Sequence, residues 1–437
     1  MATKHIALPH TPAALAAVAV AQALRAHGHS AYLVGGCVRD LLLGLVPKDY
    51  DIATSAHPDQ VRRLFTHVVE VGAAFGVLRV RQPSPAGVVE IEVATFRAET
   101  AYSDGRRPDS VHFTDAEQDV LRRDFTMNGL LLDPLDEAGQ LLDLCPVVDW
   151  VGGLADLDAA VLRAIGDPAA RFGEDALRLL RAPRFAARFD LQIDVDTRLA
   201  IQTLAPTLRR VSPERISAEV LAMLQAQSSP KALQWLADLG LAQQLWPQLT
   251  AVDPGLQQTK QRFAALQSAL LQPLALRPAA FAPCSAIDAA LAIATLFWPA
   301  QTHVGNLPED WRLSRDTATR LRETWALVAQ LHKIAGEPLT PSVVRLLRSE
   351  QADAALLLCL ALDGEPKWQL FRRLRAQTPK AQWWPALWVT GDTLLAWGHA
   401  QGPQFRAALL AAEDAQLAGE SAVDVEAAAR RALPMVS

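Results

Sequence analysis

The pattern of apolar residues changes near residue 155, and this change limits the folds open to the chain. Up to about residue 150, short β-branched runs such as "AYLVGG", "FGVLRV" and "VVEIEVATF" alternate with turns and two helical stretches, which is typical of an α/β arrangement. After "WVGGLADL" the pattern is helical from about 155 to 250, and no further strand is predicted. A proline-rich passage at 272–288 indicates a linker or irregular crossing before more helices.

Length, charge and cysteine use narrow the class of protein. The 437 residues suffice for roughly two to four domains with real cores. The formal charge of −5 gives no global sign of a nucleic-acid binder, so any such surface must be local. No run reaches the roughly 18 apolar residues of a membrane span, and Pro12 and Gln22 interrupt the N-terminal apolar run, which predicts an amphipathic helix. The cysteines never form a CxxC pair, so we expect a cytoplasmic protein with no zinc site, no disulfide framework and no membrane partner.

The stretch "YLVGGCVRDLLLGLVPKDYDIAT" (32–54) carries two aspartates two residues apart. In a β-strand, Asp49 and Asp51 project to one face while the residues between and after them enter the core. Two carboxylates on one face repel each other unless a cation lies between them, and Mg²⁺ takes oxygen ligands while keeping sites for phosphates. The pair predicts a divalent metal site; a turn or cap at a strand end is the alternative.

Other side chains near this pair point to the same chemistry. Gly35 and Gly36 remove side chains where the backbone would approach a ligand, and Arg39 supplies a cation one turn into the next helix. Glu92 lies between apolar neighbours in "VVEIEVATF" and could be a third carboxylate. Together these residues form the layout of a nucleotidyl transferase, in which two metals bind a triphosphate and activate a hydroxyl for in-line attack.

Six motifs in order, at comparable spacing, carry a family resemblance. The chain resembles the class II tRNA nucleotidyltransferase and bacterial poly(A) polymerase family of the polymerase-β superfamily almost unbroken over 32–250. A weaker echo, "VTGDTLLAWGHAQGPQF", resembles the tail of the same enzymes. The six motifs are "GGCVRDLLLGLVPKDYDIATSA", "VEVGAAFGVLRV", "EVATFRAETAYSDGRRPDSVHF", "LRRDFTMNGLLLDP", "VGGLADL" and "GEDALRLLRAPRFAARF".

The resemblance implies an α+β fold. A polymerase-β-like nucleotidyltransferase head with a small mixed sheet is expected over 1–150. An all-helical neck that binds the nucleotide base and RNA is expected over 151–250, and a helical body and tail that bind tRNA over 251–437.

The resemblance also implies roles for individual residues. Asp49 and Asp51 would hold Mg²⁺, with Glu92 as the third catalytic acid, and "DGRRPD" falls in the mobile catalytic loop of the family. The nucleotide would be bound by residues of the glycine turn, of "RRDFTMN" and of the neck: Gly35, Gly36, Arg39, Arg122, Arg123, Asp124, Asn128, Asp175, Arg178, Arg181 and Arg184.

Asp175 and Arg178 make physical sense as base-reading groups. Three residues apart, they are predicted to share an exposed helical face. A carboxylate that accepts from an amino group and a guanidinium that donates to a ring nitrogen would read both cytosine and adenine, whereas uracil and guanine present the reverse order. An ordinary surface salt bridge is the alternative. Arg181, Arg184 and Arg188 are expected on the same face as Arg178, lining a phosphate-rich cleft or forming a solvated basic face.

Three departures from the family pattern are visible. Pro183 stands inside the predicted nucleotide-binding helix, where a proline removes a hydrogen bond and bends the axis. The passage "QLLDLCPVVDWVGG" is longer than the usual hinge, and Ala94 replaces a frequent threonine.

The predicted activity is template-independent addition of CCA, or of its terminal A, to the 3′ end of tRNA from CTP and ATP, with the acceptor region of tRNA as partner and no obligate protein partner. A bacterial poly(A) polymerase is the alternative, but its basic run after the Asp-x-Asp strand and its arginine-rich tail are missing. The intact "YSDGRRPDSVHF" argues against a CC-only enzyme. Two other classes stay open: an enzyme that nucleotidylates a small molecule or protein, and an inactive RNA-binding protein, against which the three retained acids argue.

Overall fold

The computed structural model describes residues 4–72, 76–85, 87–100, 110–271, 286–298, 311–334 and 340–433. Its contacts divide the chain into two compact units. The first comprises Met1–Val220 and Ala232–Pro247, and the second comprises Leu221–Lys231 and Gln248–Ser437. The predicted head and most of the predicted neck therefore share one unit, while the functional division at residues 150 and 250 stays a prediction.

A mixed eight-stranded sheet forms the centre of the first unit, in the strand order β1-β10-β9-β2-β3-β6-β5-β4. Only the β3–β6 pair is parallel among these described strands. The predicted mixed sheet is thus confirmed, with the long hinge passage supplying β10. The strands are β1 (His5–Ile6), β2 (Ala31–Val34), β3 (Asp51–Thr54), β4 (Val68–Gly72), β5 (Val77–Ser84), β6 (Gly87–Thr95), β9 (Leu131–Leu132) and β10 (Cys145–Val148).

Two further pairs of strands lie outside the main sheet. Strands β7 (Arg97–Thr100) and β8 (Ser110–Phe113) pair antiparallel. Strands β11 (Val161–Leu162) and β12 (Gln192–Ile193) pair parallel. The prediction that strands end near residue 155 is therefore wrong at this point, because a two-residue pairing is too short to leave a period-two pattern in the sequence.

Helices surround the sheet and continue beyond it. Helix α1 begins where the Thr11 hydroxyl accepts a hydrogen bond from the Ala14 amide at 3.2 Å, and its buried alanine and valine face packs on the sheet. The predicted amphipathic helix is confirmed. The helices are α1 (Pro12–Ala26), α2 (Gly36–Leu42), α3 (Pro58–Leu64), α4 (Ala116–Leu121), α5 (Gly153–Asp158), α6 (Pro168–Glu174), α7 (Arg178–Phe189), α8 (Val195–Leu204), α9 (Pro213–Leu224), α10 (Ser229–Asp238), α11 (Leu241–Leu245) and α12 (Pro247–Val252), with 3₁₀ turns at Thr126–Asn128 and Ala205–Arg210.

The "VGGLADL" motif brings the chain close to the 3₁₀ turn of the head. Gly152 adopts a left-handed conformation with φ of 79° just before α5. Gly153 packs so tightly that a Cβ there would lie 2.3 Å from the carbonyl oxygen of Thr126. The Asp149 carboxylate holds the turn by accepting from the amides of Gly153 and Leu154 at 3.0 and 2.9 Å. Glycine at 153 is thus a steric requirement of the packing.

The described residues of the second unit form helices and connecting segments, with no strand among them. Its core includes a buried ion pair in which Arg372 Nε lies 2.9 Å from Asp353 Oδ1, and a separate apolar cluster is built on Leu394, Phe405 and Val425. No described helix has the length and apolarity required to cross a membrane. The remaining helices are α13 (Gln257–Leu271), α14 (Ala289–Phe297), α15 (Arg315–Lys333), α16 (Pro341–Leu347), α17 (Ala352–Asp363), α18 (Pro366–Gln377), α19 (Lys380–Trp383), α20 (Gly391–Ala396), α21 (Pro403–Leu417) and α22 (Ala422–Arg431).

Candidate active site

The two aspartates lie at the N-terminal end of β3, with Asp51 as its first residue and Asp49 just before it. Tyr50 and Ile52 are 2% and 0% exposed, so the alternation of faces expected for a strand extends through this segment. Asp51 is the register partner of Glu92 on the parallel neighbour β6. The two predicted acids therefore sit side by side on adjacent strands.

Burial and neighbouring negative charges make the Asp51 carboxyl group hard to ionise. Burial most of all, and the nearby carboxylates of Glu92 and Asp49, raise its pKa to about 6, although Arg123 partly offsets them. Repulsion of this kind is what a bound cation relieves. The donor set is all oxygen, which suits Mg²⁺ better than a soft metal.

Glu92 does not point into the same space as the aspartates. Its Oε1 accepts a hydrogen bond from Arg79 Nη2 at 3.2 Å. As the side chains stand, no group of three or more His, Cys, Asp or Glu within the described ranges has a geometry that could hold a metal ion. The roles of Asp49, Asp51 and Glu92 as metal-binding or catalytic acids therefore stay predictions.

The glycine turn brings the backbone close to an arginine. Gly35 has φ of 68°, a conformation that side chains disfavour, and a Cβ on it would lie 3.1 Å from Arg123 Nη1. Arg39, 5% exposed, donates from Nη1 to Asn128 Oδ1 at 2.7 Å. It also donates from Nη2 to Asp40 Oδ1 at 2.6 Å. Burial and these hydrogen bonds therefore fix the position of the Arg39 guanidinium.

One buried carboxylate, not predicted from the sequence, orients two of the predicted arginines. Asp119 accepts from Arg122 Nη2 at 2.7 Å and from Arg123 Nη2 at 2.9 Å. Burial would raise the pKa of Asp119, but Arg122 and Arg123 together hold it below its usual value. Asp119 lies on α4, and Arg122 and Arg123 follow just past its C-terminal end. The Asp-x-x-Arg-Arg spacing, three and four residues, is the signal that could have revealed this role.

Asp124 bonds a side chain of helix α7. Its Oδ2 accepts from Arg181 Nε at 2.7 Å, and its Oδ1 accepts from Asn128 Nδ2 at 3.0 Å. Burial alone would raise the pKa of Asp124, yet Arg181 and the hydrogen bonds to this carboxylate lower it to about 2. Asp124 is therefore ionised at neutral pH and fixes an arginine of α7.

A cavity of about 710 Å³ gathers nearly all of the predicted residues. Glu92 is absent from its lining, whereas Arg188 lines it as its predicted helical face requires. Leu177, Phe185 and Arg215 also line it, and the sequence does not predict these three. The residues that line it are Gly35, Gly36, Arg39, Asp49, Asp51, Arg122, Arg123, Asp124, Asn128, Asp175, Leu177, Arg178, Arg181, Arg184, Phe185, Arg188 and Arg215. The "DGRRPD" loop, residues 104–109, lies outside the described residues.

The prediction that Asp175 and Arg178 share one helical face is wrong. Helix α6 ends at Glu174 and α7 begins at Arg178, and Asp175 between them is extended, with φ of −143° and ψ of 105°. The side chains have different partners: Arg178 Nη1 donates to Glu174 Oε2 at 2.6 Å, whereas Asp175 pairs with Arg215. Their side chains are only 19% and 11% exposed, so the expected exposed face is also wrong.

The proline inside α7 does not displace the arginine next to it. Pro183 is buried within the helix. Arg184 lines the cavity and donates from Nε to Glu219 Oε2 at 2.6 Å. The predicted common face is confirmed, since Arg178, Arg181, Arg184 and Arg188 all line the same cavity.

Comparisons with known proteins show which family this chain is similar to. The model of the poly A polymerase head domain matches residues 31–163, and that of the probable RNA and SrmB-binding site of polymerase A matches 190–252. The CCA-adding enzyme of Bacillus licheniformis is 34% identical over 351 residues, 77% of this chain and 80% of the relative. Poly(A) polymerase I of Haemophilus influenzae is 39% identical over 54% of this chain and 52% of its own. The crystal structure of the Bacillus stearothermophilus CCA-adding enzyme with CTP superposes with a TM-score of 0.69 at 30% identity, covering 94% of both chains.

Proposed function

We propose a function from the premise that the chain belongs to the family of class II CCA-adding enzymes and bacterial poly(A) polymerases. In this proposal the protein is a template-independent tRNA nucleotidyltransferase that adds CCA, or its terminal A, to the 3′ end of tRNA from CTP and ATP. The neck reads the base, the body and tail bind tRNA, and the enzyme works in the cytoplasm.

One observation carries this proposal. A single cavity places two carboxylates beside a glycine turn and a set of arginines, including Arg39, Arg122 and Arg123. Carboxylates suit divalent cations, and guanidinium groups neutralise the phosphates of a nucleoside triphosphate. This juxtaposition fits phosphoryl transfer better than binding of RNA alone.

In the proposed reaction, the 3′-hydroxyl oxygen of the RNA attacks the α-phosphorus of the bound nucleotide. The bond from that phosphorus to the bridging oxygen breaks, diphosphate leaves, and the hydroxyl proton passes to solvent. Asp49 and Asp51 would hold two Mg²⁺ ions, which when bound stabilise the developing charge and favour ionisation of the hydroxyl. The arginines of the cavity hold the triphosphate in line for this displacement.

Base selection depends on the hydrogen-bond acceptor sites of the Asp175 carboxylate that the described protein groups do not occupy. Oδ1 accepts from the Leu177 amide at 3.0 Å and from Arg215 Nη1 at 3.2 Å, and Oδ2 accepts from Arg215 Nη2 at 2.7 Å. A carboxylate has about four acceptor sites, so one site on Oδ2 stays available for the amino group of cytosine or adenine. Uracil and guanine present no donor at that position.

Arg178 keeps donors for the neighbouring ring nitrogen. Within the described chain it donates from Nη1 to Glu174 and to the Arg171 carbonyl, and from Nη2 to the Arg122 carbonyl at 3.0 Å. A guanidinium has about five N–H donors, so two stay available. Cytosine and adenine both present an amino donor beside a ring-nitrogen acceptor, which matches the Asp175 acceptor beside the Arg178 donor.

The test uses tRNA transcripts that end before the first C, after the first C, after the second C and after the terminal A. Each is incubated with CTP, ATP or both. We expect extension to a complete CCA end, or of the last substrate by one A, followed by arrest. A ladder of tens of adenosines on an unstructured RNA would instead assign the chain to the poly(A) polymerases, which the resemblance to the Haemophilus influenzae enzyme keeps as second candidate.

A further inference from the structure

Glu92 lies between an aspartate and an arginine on three neighbouring strands. On β6 its register partner on one side is Asp51 of β3, and its partner on the other side is Arg79 of β5. Directly opposed residues on adjacent strands have Cβ atoms about 5 Å apart, so both can reach Glu92. The backbone therefore offers the Glu92 carboxylate two positions, one toward the aspartates and one toward the guanidinium.

The carboxylate takes the position toward Arg79. Arg79 Nη2 donates to Glu92 Oε1 and Arg79 Nη1 donates to Glu90 Oε2, each at 3.2 Å. Glu92 accordingly does not line the cavity that Asp49 and Asp51 line. One arginine thus neutralises part of the charge on two neighbouring glutamates and draws one of them away from the aspartates.

The ion pair is weak enough to be exchanged. The side chains of Arg79 and Glu92 are 35% and 44% exposed, and pairs at such exposure contribute little because water and salt screen them. A divalent cation beside Asp49 and Asp51 attracts the same carboxylate with twice the charge of a guanidinium. Competition between the two cations is therefore physically reasonable.

We propose that Arg79 is a positioning residue that holds Glu92 off the aspartate pair in the nucleotide-free protein and so weakens metal binding until the metal arrives with a nucleotide. Replacing Arg79 leaves Glu92 free to turn toward the aspartates and removes a positive charge near them. Both effects strengthen binding of a divalent cation. This inference rests on the proposed function, because it takes Asp49 and Asp51 as metal ligands.

The experiment measures Mn²⁺ affinity of the nucleotide-free protein by electron paramagnetic resonance. We expect Arg79→Met to bind Mn²⁺ about three- to tenfold more tightly than the parent protein, the size expected for loss of one exposed pair and its charge. Arg81→Met is the matched control. Arg81 lies two residues along β5 on the same face, and its described ion pair is with Glu90, at 3.5 Å. We expect it to change the affinity less than about twofold, since it does not bind Glu92.

Two further variants separate the mechanism from general charge and folding effects. Arg79→Lys keeps the charge and is expected to bind Mn²⁺ like the parent. Adding Glu92→Gln to Arg79→Met should remove most of the gain, because the gain depends on the freed carboxylate. Thermal midpoints measured on the same samples show that each variant is folded.

The outcomes distinguish this inference from the proposed function. Equal affinities for Arg79→Met and Arg81→Met, or weaker binding by Arg79→Met, would overturn the role of Arg79 alone. Failure of the parent protein to bind Mn²⁺, with or without CTP, would overturn the metal assignment and the inference with it. Tighter binding that Glu92→Gln abolishes supports both.

Discussion

Arg215 forms a two-pronged hydrogen bond with Asp175, from Nη1 to Oδ1 at 3.2 Å and from Nη2 to Oδ2 at 2.7 Å. This geometry fixes the plane of the carboxylate that we propose as the reader of the amino group. Arg215 comes from α9 and Asp175 from the break between α6 and α7. The orientation of the base-reading group therefore depends on a residue far from it in the chain.

Replacing Asp175 by alanine should weaken nucleotide selection more than folding. Without the carboxylate nothing accepts the amino hydrogen of cytosine, so we expect the ratio of kcat/KM for CTP over UTP to fall by about 10-fold or more. The side chain is 19% exposed, so we also expect a loss of about 1 kcal/mol of stability. The check is kcat/KM for all four nucleotides, with thermal unfolding on the same samples. Full discrimination against UTP in a folded variant would contradict the base-reading role.

Arg215→Met should also lower the preference for CTP over UTP, because it changes the orientation of the Asp175 carboxylate. The carboxylate stays but loses its fixed plane, so we expect a smaller fall in CTP-over-UTP preference, about three- to tenfold. Arg209→Met is the control, since Arg209 is exposed and does not line the cavity. If both variants kept the parent selectivity, Arg215 would be only a structural partner of Asp175.

Alanine at Asp49 or Asp51 should abolish incorporation while tRNA binding persists, because the acids serve the chemistry and the arginines hold the polynucleotide. We expect kcat to fall at least about 100-fold. Single-turnover incorporation and tRNA binding by filter retention are the measurements. Asp158→Ala, an exposed acid outside the cavity, should behave like the parent. Near-normal turnover in either active-site variant would refute the metal assignment.

Asp124 should make stability depend on pH in the acidic range. Its pKa falls from a usual 3.8 to about 2 on folding, so the ionised group stabilises the protein above about pH 4. That contribution is lost as pH drops from about 4 through 2, and the difference corresponds to about 2 kcal/mol. Asp124→Asn should be less stable at pH 7 by a similar amount and lose less on acidification. Urea unfolding at pH 7, 4 and 3 tests this, and parallel curves for the two proteins would contradict it.

Two glycines should respond in opposite ways to alanine. At Gly153 a Cβ would lie 2.3 Å from the Thr126 carbonyl oxygen, so the clash outweighs the helix preference of alanine and we expect a loss of more than about 2 kcal/mol. At Gly173, in α6, a Cβ meets no atom of the described chain within 4 Å. There we expect no loss and a gain of up to about 1 kcal/mol. Equal effects at both positions in chemical unfolding would contradict the close packing at Gly153.

Much of the site follows from local pattern. The alternation of faces around Asp49 and Asp51 and the placement of Glu92 between core residues are visible in the sequence because a strand repeats every two residues. The arginines of α7 share a cavity because a helix repeats every 3.6 residues. Both periods are properties of backbone dihedral angles, so single segments determine them.

Contacts between distant segments of the chain leave no such local pattern. Arg39 and Asn128, 89 residues apart, meet at 2.7 Å, and Asp175 and Arg215 are 40 residues apart. The sequence does not predict the helix break at Asp175, because the low helix propensity of Gly173 and Asp175 is only a weak signal. The break places the Asp175 carboxylate on Arg215, and such a tertiary ion pair leaves no periodic trace.

The sequence by itself determined the change from a strand-rich to a helical region, the family resemblance and the alternation of Asp49 and Asp51 with core residues, since each depends on neighbours in the chain. The tertiary structure alone decided which partner each charged side chain holds: Glu92 on Arg79, Asp175 on Arg215, and Arg181 on Asp124. The reason is physical. A charged group pairs with whichever opposite charge packing brings within about 4 Å, and packing depends on the whole of a unit.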